Sequence, residues 1–387
     1  MSTPKHARVG HRTRWARALI VTTTLVVAIG AASTPPATAA LATTARARAA
    51  TGPIWDHAVR GGPWGLAADS KGAVVPMQEG DVLSLDRNGR MQWQSHLGED
   101  EVVESTPALD HSAVLVGGSK LVTALDRASG AQRWQQPFDD DVTSVALAGD
   151  LALAGDNAGT LAAFDAATGT RRWSVRFDGR LWTAPRVDRR AGVVVATWHG
   201  STSSPVRVFD LATGALRWEA PTMGYTAAPV VHRGRVFLAS GDGQYHARVQ
   251  ARSLATGALA WETTVPGSFE QGIQPAAAGN DLAVVDHFGV VTVLDVRRGR
   301  IRWQHALRHP LIDTQVLLTA RRVVLTSFSG TVFVLARNSG HVIRELTARR
   351  LEGYPISIAT TSWGGPPRLL LALRLDAPFR IELRPLP

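Results

Sequence analysis

Two clusters of acidic residues are the part of this sequence best suited to binding a ligand or a partner. Glu99-Asp100-Glu101 follows Trp93 by six residues, and Asp139-Asp140-Asp141 follows Trp134 by five. Grouped carboxylates attract a cation or a basic segment of another protein. A solvated loop is the simpler interpretation of a charged run, but the shared position of the two clusters favours a binding role.

Large aromatic residues occupy the corresponding positions elsewhere in the chain. They are Trp64, Trp182, Tyr225, Phe269 and Tyr354. Aromatic side chains on loops that a rigid scaffold holds are frequent anchors for protein partners. Local packing of some of these rings is the alternative. We predict that the five aromatic residues bind a partner together with the acidic clusters, in particular with Glu99, Asp100, Asp139, Asp140 and Asp141.

The residues that other chemistries require are missing or scattered. The sequence contains no cysteine, which excludes a disulfide framework, a thiolate metal site, a cysteine nucleophile and a lipid-modified cysteine. His305 and His309 are four residues apart, but this segment enters a predicted strand and carries no carboxylate motif. Neither a glycine-rich phosphate loop nor a serine nucleophile elbow is present. We therefore expect no metal, no cofactor and no catalytic residue.

The net charge of +10 is a weak argument for nucleic-acid binding. Residues 1–39 contain five basic residues and no acidic residue, so the other 348 residues have a net charge of only +5. A basic footprint of that size does not indicate a nucleic-acid partner.

The first 39 residues resemble a secretory signal peptide. A basic segment ends at Arg17, an apolar run covers 18–32, and small residues follow at 37–39. The run has 15 residues, fewer than the roughly 20 that span a bilayer, although an uncleaved membrane anchor stays open. Residues 40–52 are predicted to form a flexible tether. We expect a secreted or envelope-associated protein, in contact with a membrane only if the apolar run is retained.

A repeat of about 42 residues covers the rest of the chain, and internal repeats of this length define a fold. The recurring motif is an apolar strand, an aspartate, a glycine turn and a tryptophan four residues after the glycine, as in Ala162–Trp173 and Arg207–Trp218. The tryptophans are Trp55, Trp93, Trp134, Trp173, Trp218, Trp261 and Trp303, at intervals of 38, 41, 39, 45, 43 and 42 residues. By the same interval, a seventh copy with the turn glycine Gly340 places Glu345 in the tryptophan position.

Four short strands in every repeat predict a β-propeller blade. Counting intervals predicts eight blades, and the final one lacks an outer strand, while the segment around Trp55 is an outer strand without a blade. We therefore predict an all-β, eight-bladed propeller of four-stranded antiparallel blades over residues 53–387. Its ring is closed by the N-terminal strand, which removes the unpaired edges.

The repeat resembles that of pyrroloquinoline-quinone-type β-propellers, whose pattern is ALDxxTGxxxW. Ala163–Trp173 and Val208–Trp218 match it closely. In this family the outer-strand tryptophans pack between neighbouring blades, so the resemblance implies a structural role for the seven tryptophans. The family includes quinoprotein dehydrogenases and non-enzymatic scaffolds, among them the propeller lipoprotein of an outer-membrane assembly machine. That lipoprotein is lipid-anchored, whereas this chain lacks the required cysteine.

These observations predict a non-enzymatic, monomeric scaffold that binds a protein or peptide on one face. Two other functions stay open. One is a quinone-dependent oxidoreductase, although none of the family's cofactor residues transfers to a position here. The other is a glycan-binding module, because aromatic faces also stack on sugars.

Overall fold

The structure is a computed structural model. It describes residues 53–386 except 60, 99–101, 104, 182, 199–204, 242–245, 268, 270–273, 308, 310–314, 328–329, 348–350, 352–353, 362, 364–365 and 375–378. The side chains of 225, 246, 354–356 and 374 also lie outside the description. The predicted signal peptide (1–39) and tether (40–52) therefore lie outside the described residues.

Thirty-three strands of the described residues form eight antiparallel sheets, which are the blades of a β-propeller. The first strands of consecutive blades contact each other and surround the centre of the ring. They are β2 (Ala67–Ala68), β6 (Ala108–Leu109), β10 (Val142–Ala148), β14 (Arg186–Asp188), β18 (Tyr225–Thr226) with β19 (Val230–His232), β23 (Ala276–Ala278), β27 (Leu317–Leu318) and β31 (Tyr354–Thr361). The second strands are β3 (Ala73–Pro76), β7 (Ala113–Gly118), β11 (Leu151–Asp156), β15 (Val193–Thr197), β20 (Arg235–Gly241), β24 (Asp281–Val285), β28 (Arg322–Thr326) and β32 (Arg368–Arg374).

The third and fourth strands complete each blade toward the rim. The third strands are β4 (Asp81–Leu85), β8 (Leu121–Asp126), β12 (Thr160–Asp165), β16 (Val206–Asp210), β21 (His246–Ser253), β25 (Val290–Asp295), β29 (Val332–Ala336) and β33 (Phe379–Pro385). The outer strands are β5 (Met91–His96), β9 (Gln132–Pro137), β13 (Arg171–Arg176), β17 (Leu216–Ala220), β22 (Leu259–Pro266), β26 (Ile301–Ala306), β30 (Val342–Leu346) and β1 (Trp55–Val59).

The ring is closed by the N-terminal strand, as the sequence predicts. Blade 8 has the order β1-β33-β32-β31, and Trp55 pairs with Leu383 while Val59 pairs with Phe379. Blades 1 to 7 follow one another from β2 to β30 without a crossover between blades. The predicted all-β, eight-bladed fold is therefore confirmed.

Apolar side chains fill the seams between blades. The described residues form eight buried clusters, each made from two neighbouring blades. A second strand such as β15 is buried along its whole length because both of its faces meet a neighbouring blade. Outer strands such as β13 alternate between buried and exposed residues, since only one face meets the next blade. This explains why second strands appear as continuous apolar runs in the sequence.

The seven repeat tryptophans join each outer strand to the turn of the following blade. Each indole Nε1 donates a hydrogen bond of 2.8 to 3.2 Å to a backbone carbonyl there, on Arg87, Arg127, Ala166, Leu211, Leu254, Val296 and Arg337 in ring order. The ring also lies against the turn glycine. At Gly214, which has a φ of +71°, a Cβ would stand 2.7 Å from Cδ2 of Trp173. Only glycine fits this contact.

Arg344, and not Glu345, occupies the tryptophan position of the seventh repeat. In β26 a bulge lies after the pair Val293–Trp303, and in β30 the same bulge lies after the pair Val334–Arg344. The prediction of Glu345 was wrong because it followed the 42-residue interval instead of the four-residue spacing from the turn glycine. The seam between blades 7 and 8 is packed by aliphatic side chains, including Leu346 and Leu369.

Among the residues that the structure describes, no helix has the length and apolar character needed to cross a membrane.

Candidate functional site

The alternating strand directions give the ring two faces. We call the loop face the one that carries the loops entering each first strand and the loops between second and third strands. The turn face carries the turns between first and second strands and between third and fourth strands. Among the predicted site residues that the structure describes, Trp64, Phe269 and Asp139–Asp141 precede first strands and so belong to the loop face, and the backbones of Tyr225 and Tyr354 begin first strands at that face.

The acidic cluster Asp139–Asp141 is fixed by its own blade. Asp140 accepts a hydrogen bond from the Asp141 backbone N–H at 2.9 Å, and the Asp141 carbonyl accepts one from Asn157 at 3.0 Å. The Asp139 side chain is 80% exposed, and its carboxylate lies 3.3 Å from the guanidinium of Arg176. This pair is exposed to water, so it contributes little to stability. Asp139 is therefore presented to solvent by an ordered loop.

A buried carboxylate, that of Asp156, lies beside this cluster. The sequence analysis did not predict it as a candidate site residue. Its Oδ1 accepts a 2.6 Å hydrogen bond from the Thr160 backbone N–H, and its Oδ2 has no hydrogen-bond partner among the described residues. Burial raises the pKa of Asp156, although the hydrogen bonds from Thr160 and the charge of Arg176 act in the opposite direction. The signal that could have found it is the spacing Asp-x-x-Gly between a second and a third strand.

Asp286 has the same position in blade 6. Its side chain is buried, Oδ1 accepts a 2.6 Å hydrogen bond from the Val290 backbone N–H, and Oδ2 has no partner in the described part of the chain. Burial raises the pKa of Asp286 to about 6, against weaker opposing effects of three backbone N–H groups.

Exposed apolar side chains on the loop face include one predicted residue. Trp64 is 44% exposed, and its backbone N–H donates a 2.9 Å hydrogen bond to Pro76. Val102 lies in the corresponding loop of blade 2 and is 43% exposed, and Phe288 is 48% exposed in the loop after β24. An exposed tryptophan on a short, hydrogen-bonded loop has the properties of an anchor for a partner.

One ring predicted to bind the partner, that of Phe269, is instead part of the core, as is the ring of Trp198. Phe269 is 1% exposed and packs in the cluster between blades 5 and 6. Trp198 is 6% exposed and packs 4.6 Å from Phe177, with the guanidinium of Arg207 4.4 Å from its ring centre. Both rings lie in the seams between neighbouring blades. Burial removes Phe269 from the set of side chains that a partner can contact.

The other predicted site residues are not described to the level of their side chains. Glu99, Asp100 and Trp182 lie outside the described residues. The backbones of Tyr225 and Tyr354 begin β18 and β31, but their side chains are also outside the description.

The turn face repeats one local structure in four of the eight blades. In blades 2, 3, 4 and 6 an aspartate accepts hydrogen bonds from two backbone N–H groups of its own turn and pairs with an arginine seven residues later. Their arginine partners Arg172 and Arg217 lower the pKa values of Asp165 and Asp210 to about 2. A cavity of about 460 Å³ opens on this face at the edge of blades 1 and 2, beside Lys71, Arg87 and Arg127.

The described residues hold no group of three or more histidine, aspartate or glutamate side chains placed to bind a metal ion.

Comparison with known families places the chain among its relatives. The family described as outer membrane protein assembly factor BamB matches over residues 78–243 and 202–357. The chain belongs to this family. Its repeats are thus those of a quinone-type propeller, as the turn motif indicates. No curated protein matches the sequence.

Solved structures share the fold at low sequence identity. BamB from Moraxella catarrhalis is 17% identical, with a TM-score of 0.69 over 87% of this chain and 98% of that chain. The computationally designed Ika8 protein is 15% identical, with a TM-score of 0.69 over 84% of this chain and 97% of that chain. Quinohemoprotein alcohol dehydrogenase ADHIIG from Pseudomonas putida HK5 is 12% identical, with a TM-score of 0.69 over 86% of this chain and 76% of that chain. Because BamB and a dehydrogenase resemble the chain equally, this fold alone does not determine activity.

Proposed function

We propose that the protein is a monomeric, non-enzymatic scaffold of the cell envelope, and that it binds a protein or peptide through its loop face. The observation that carries the proposal is the contrast between the two faces. The loop face differs from blade to blade and presents Trp64, Phe288 and the Asp139–Asp141 cluster to solvent. The turn motif is nearly the same in most blades.

Family membership supports the same function. The family is described as an outer membrane protein assembly factor, which is a role in binding other proteins. The signal-peptide pattern of residues 1–39 supports a location outside the cytoplasm. Because the sequence contains no cysteine, the proposal does not include attachment through a lipid-modified cysteine.

The physical basis of binding is a tryptophan anchor beside a negatively charged rim. Truncating an aromatic anchor typically weakens binding by about 2 kcal/mol, or about thirtyfold in Kd. Reversing exposed charges mainly slows association and changes its salt dependence. Trp64→Ala should therefore raise the dissociation rate, and Asp139→Lys with Asp141→Lys should slow association most at low salt.

The test begins with the mature chain, residues 40–387, as bait in an envelope extract, with mass spectrometry of the retained proteins. The identified partner is then titrated against both loop-face variants. Ala167→Lys and Ala212→Lys are the matched controls, because they place a charge at exposed positions in turn-face turns. Weaker binding by the loop-face variants and normal binding by the controls supports the proposal. The opposite pattern shows that the wrong face was chosen, and retention of glycans alone favours a glycan-binding module.

A quinone-dependent oxidoreductase is the second candidate, favoured by the structural likeness to a quinohemoprotein alcohol dehydrogenase. Purified protein is incubated with pyrroloquinoline quinone and calcium, and dye reduction is followed with a panel of alcohols and aldoses. We expect a rate equal to that of free quinone. Saturable turnover above that rate would replace the scaffold by the enzyme.

A further inference from the structure

Basic residues are concentrated on the turn face of blades 4 to 7. The turns of this face in those blades are residues 188–192, 210–217, 232–235, 253–258, 278–281, 295–302, 319–322 and 336–341. They contain twelve arginines and four aspartates, a net charge of +8. The equivalent turns of blades 1 to 3, residues 69–72, 86–92, 110–113, 126–133, 148–151 and 165–172, contain seven basic and six acidic residues. Within the turns of blades 1 to 7, the excess positive charge of the turn face therefore lies in blades 4 to 7.

The four aspartates of this half are already engaged within their own turns or seams. Asp188 accepts a hydrogen bond from the Ala191 N–H. The other three pair with arginines at 2.7 to 2.8 Å, namely Asp210 with Arg217, Asp281 with Arg337 and Asp295 with Arg302. Seven further arginines are exposed and form no ion pair with a described residue: Arg189, Arg190, Arg233, Arg297, Arg298, Arg300 and Arg321. Each side chain extends from a short turn that the ring holds in place.

The chain also enters the ring at this face. Because β1 is an outer strand, it begins at the turn-face edge of blade 8, where Trp55 donates its indole hydrogen bond to Arg87 in a turn of blade 1. The sequence that precedes this strand contains Arg46, Arg48 and the apolar run 18–32. The chain therefore enters the ring at the turn-face edge of blade 8.

The residue composition of the turn face in blades 4 to 7 favours a lipid headgroup layer over single-stranded nucleic acid as its anionic partner. None of the turns in blades 4 to 7 contains a phenylalanine, tyrosine or tryptophan, so these turns lack the large stacking platforms that bind single-stranded nucleic acids. Leu216, Leu259 and Ile301 are exposed at the rim of blades 4, 5 and 6, next to the same turns. Separate guanidinium groups with apolar neighbours match the phosphates and the shallow apolar region of a lipid headgroup layer.

We propose that the turn face of blades 4 to 7 docks on the anionic phospholipid headgroups of a membrane. The loop face then points away from the bilayer and is left accessible for a partner. This contact is a peripheral one, and it does not depend on whether the N-terminal apolar run is retained.

The test measures co-sedimentation of residues 40–387 with vesicles, since the ring is complete within this range. One set contains phosphatidylcholine with phosphatidylglycerol, and the other contains phosphatidylcholine alone. Each arginine close to an anionic bilayer contributes about a fivefold gain in partitioning, so removing four should reduce it by at least about a hundredfold. The variant is Arg189→Gln, Arg190→Gln, Arg297→Gln and Arg298→Gln. Its control carries the same change of charge on blades 1 to 3, as Lys71→Gln, Arg87→Gln, Arg90→Gln and Arg171→Gln.

We expect the unmodified protein to bind anionic vesicles only, and added salt to weaken this binding. The variant in blades 4 and 6 should lose the binding, whereas the control should retain most of it. Unchanged thermal unfolding of both variants shows that the ring is intact, and Arg300→Gln with Arg321→Gln repeats the test if the first variant does not fold. Equal binding to both vesicle types overturns the proposal, as does an equal loss in variant and control. Binding to a soluble polyanion without binding to vesicles overturns it in favour of a polymeric ligand.

Discussion

The tryptophan–glycine contact between blades makes a quantitative prediction at Gly214. The Gly214→Ala substitution adds one methyl group at a φ of +71°, where that methyl group would stand 2.7 to 2.9 Å from three ring atoms of Trp173. Two separate costs follow. A side chain in the left-handed region costs about 1 to 2 kcal/mol, and forcing an extra methyl group into a packed contact costs about 1 to 3 kcal/mol.

The chain provides a control that separates the two costs. Gly234 has nearly the same φ, +69°, and an added Cβ there has no heavy atom within 4 Å. Gly234→Ala should therefore lower the free energy of unfolding by about 1 kcal/mol through the backbone alone. Gly214→Ala should lower it by about 2 to 4 kcal/mol, and the difference measures the contact with Trp173.

Equilibrium urea unfolding followed by circular dichroism measures both variants, after coincidence of two spectroscopic probes has shown a single transition. A double-mutant cycle completes the experiment. In a Trp173→Ala background the ring is gone, so Gly214→Ala should cost only the backbone part, and the two changes should be less than additive. Equal losses for Gly214→Ala and Gly234→Ala, or full additivity with Trp173→Ala, would refute the reasoning.

Three further predictions address other parts of the ring. Burial raises the folded-state pKa of Asp286 from 3.8 to about 6, so stability is lost as the pH rises from about 4 to about 6. Asp286→Asn should therefore raise the free energy of unfolding by up to about 3 kcal/mol at neutral pH and leave it unchanged at pH values below about 4. Parallel pH profiles of the two proteins would contradict this. Trp303→Ala should cost about 3 to 5 kcal/mol, whereas Arg344→Ala at the matching position of blade 7 should cost under about 1 kcal/mol, as measured by urea unfolding. Deleting residues 40–60 removes β1 and should lower the melting temperature strongly, while deleting residues 40–50 should not, because it leaves β1 in place; an unchanged melting temperature for the longer deletion would reject ring closure by this strand.

The fold could be predicted because the repeat specifies it at every level. The glycine turn and the tryptophan four residues later predict the blades, and the number of repeats predicts how many there are. The unpaired segment at Trp55 predicts that the N-terminal strand closes the ring. The prediction of Glu345 was wrong because it assumed a constant interval between tryptophans. The length of a repeat varies, so the interval does not locate the tryptophan position. The local spacing from Gly340 gives Arg344, which is the residue that the strand register also gives.

The candidate site could be predicted less well, because a loop's sequence does not show whether its ring faces solvent or a seam. Trp64 and Phe269 both precede a first strand, yet one is exposed and the other is buried. The burial of Asp156 and Asp286 depends on tertiary packing around the ends of β11 and β24. The uneven charge of the turn face was also not predicted from the sequence. The arginines that produce it are far apart in the chain, and the fold brings turns from four blades together on one face.

The pairing of Trp55 with Leu383 has a consequence for biosynthesis. During synthesis from the N-terminus, β1 emerges before the rest of the ring, but its partner β33 emerges last. The first blade-forming strand must therefore wait, unpaired, while seven other blades form beside it. Once the two ends meet, the ring has no free terminal blade from which fraying can begin, and opening it requires breaking an intact seam. We expect slow completion of folding and slow unfolding afterwards, a combination that protects a protein from proteolysis.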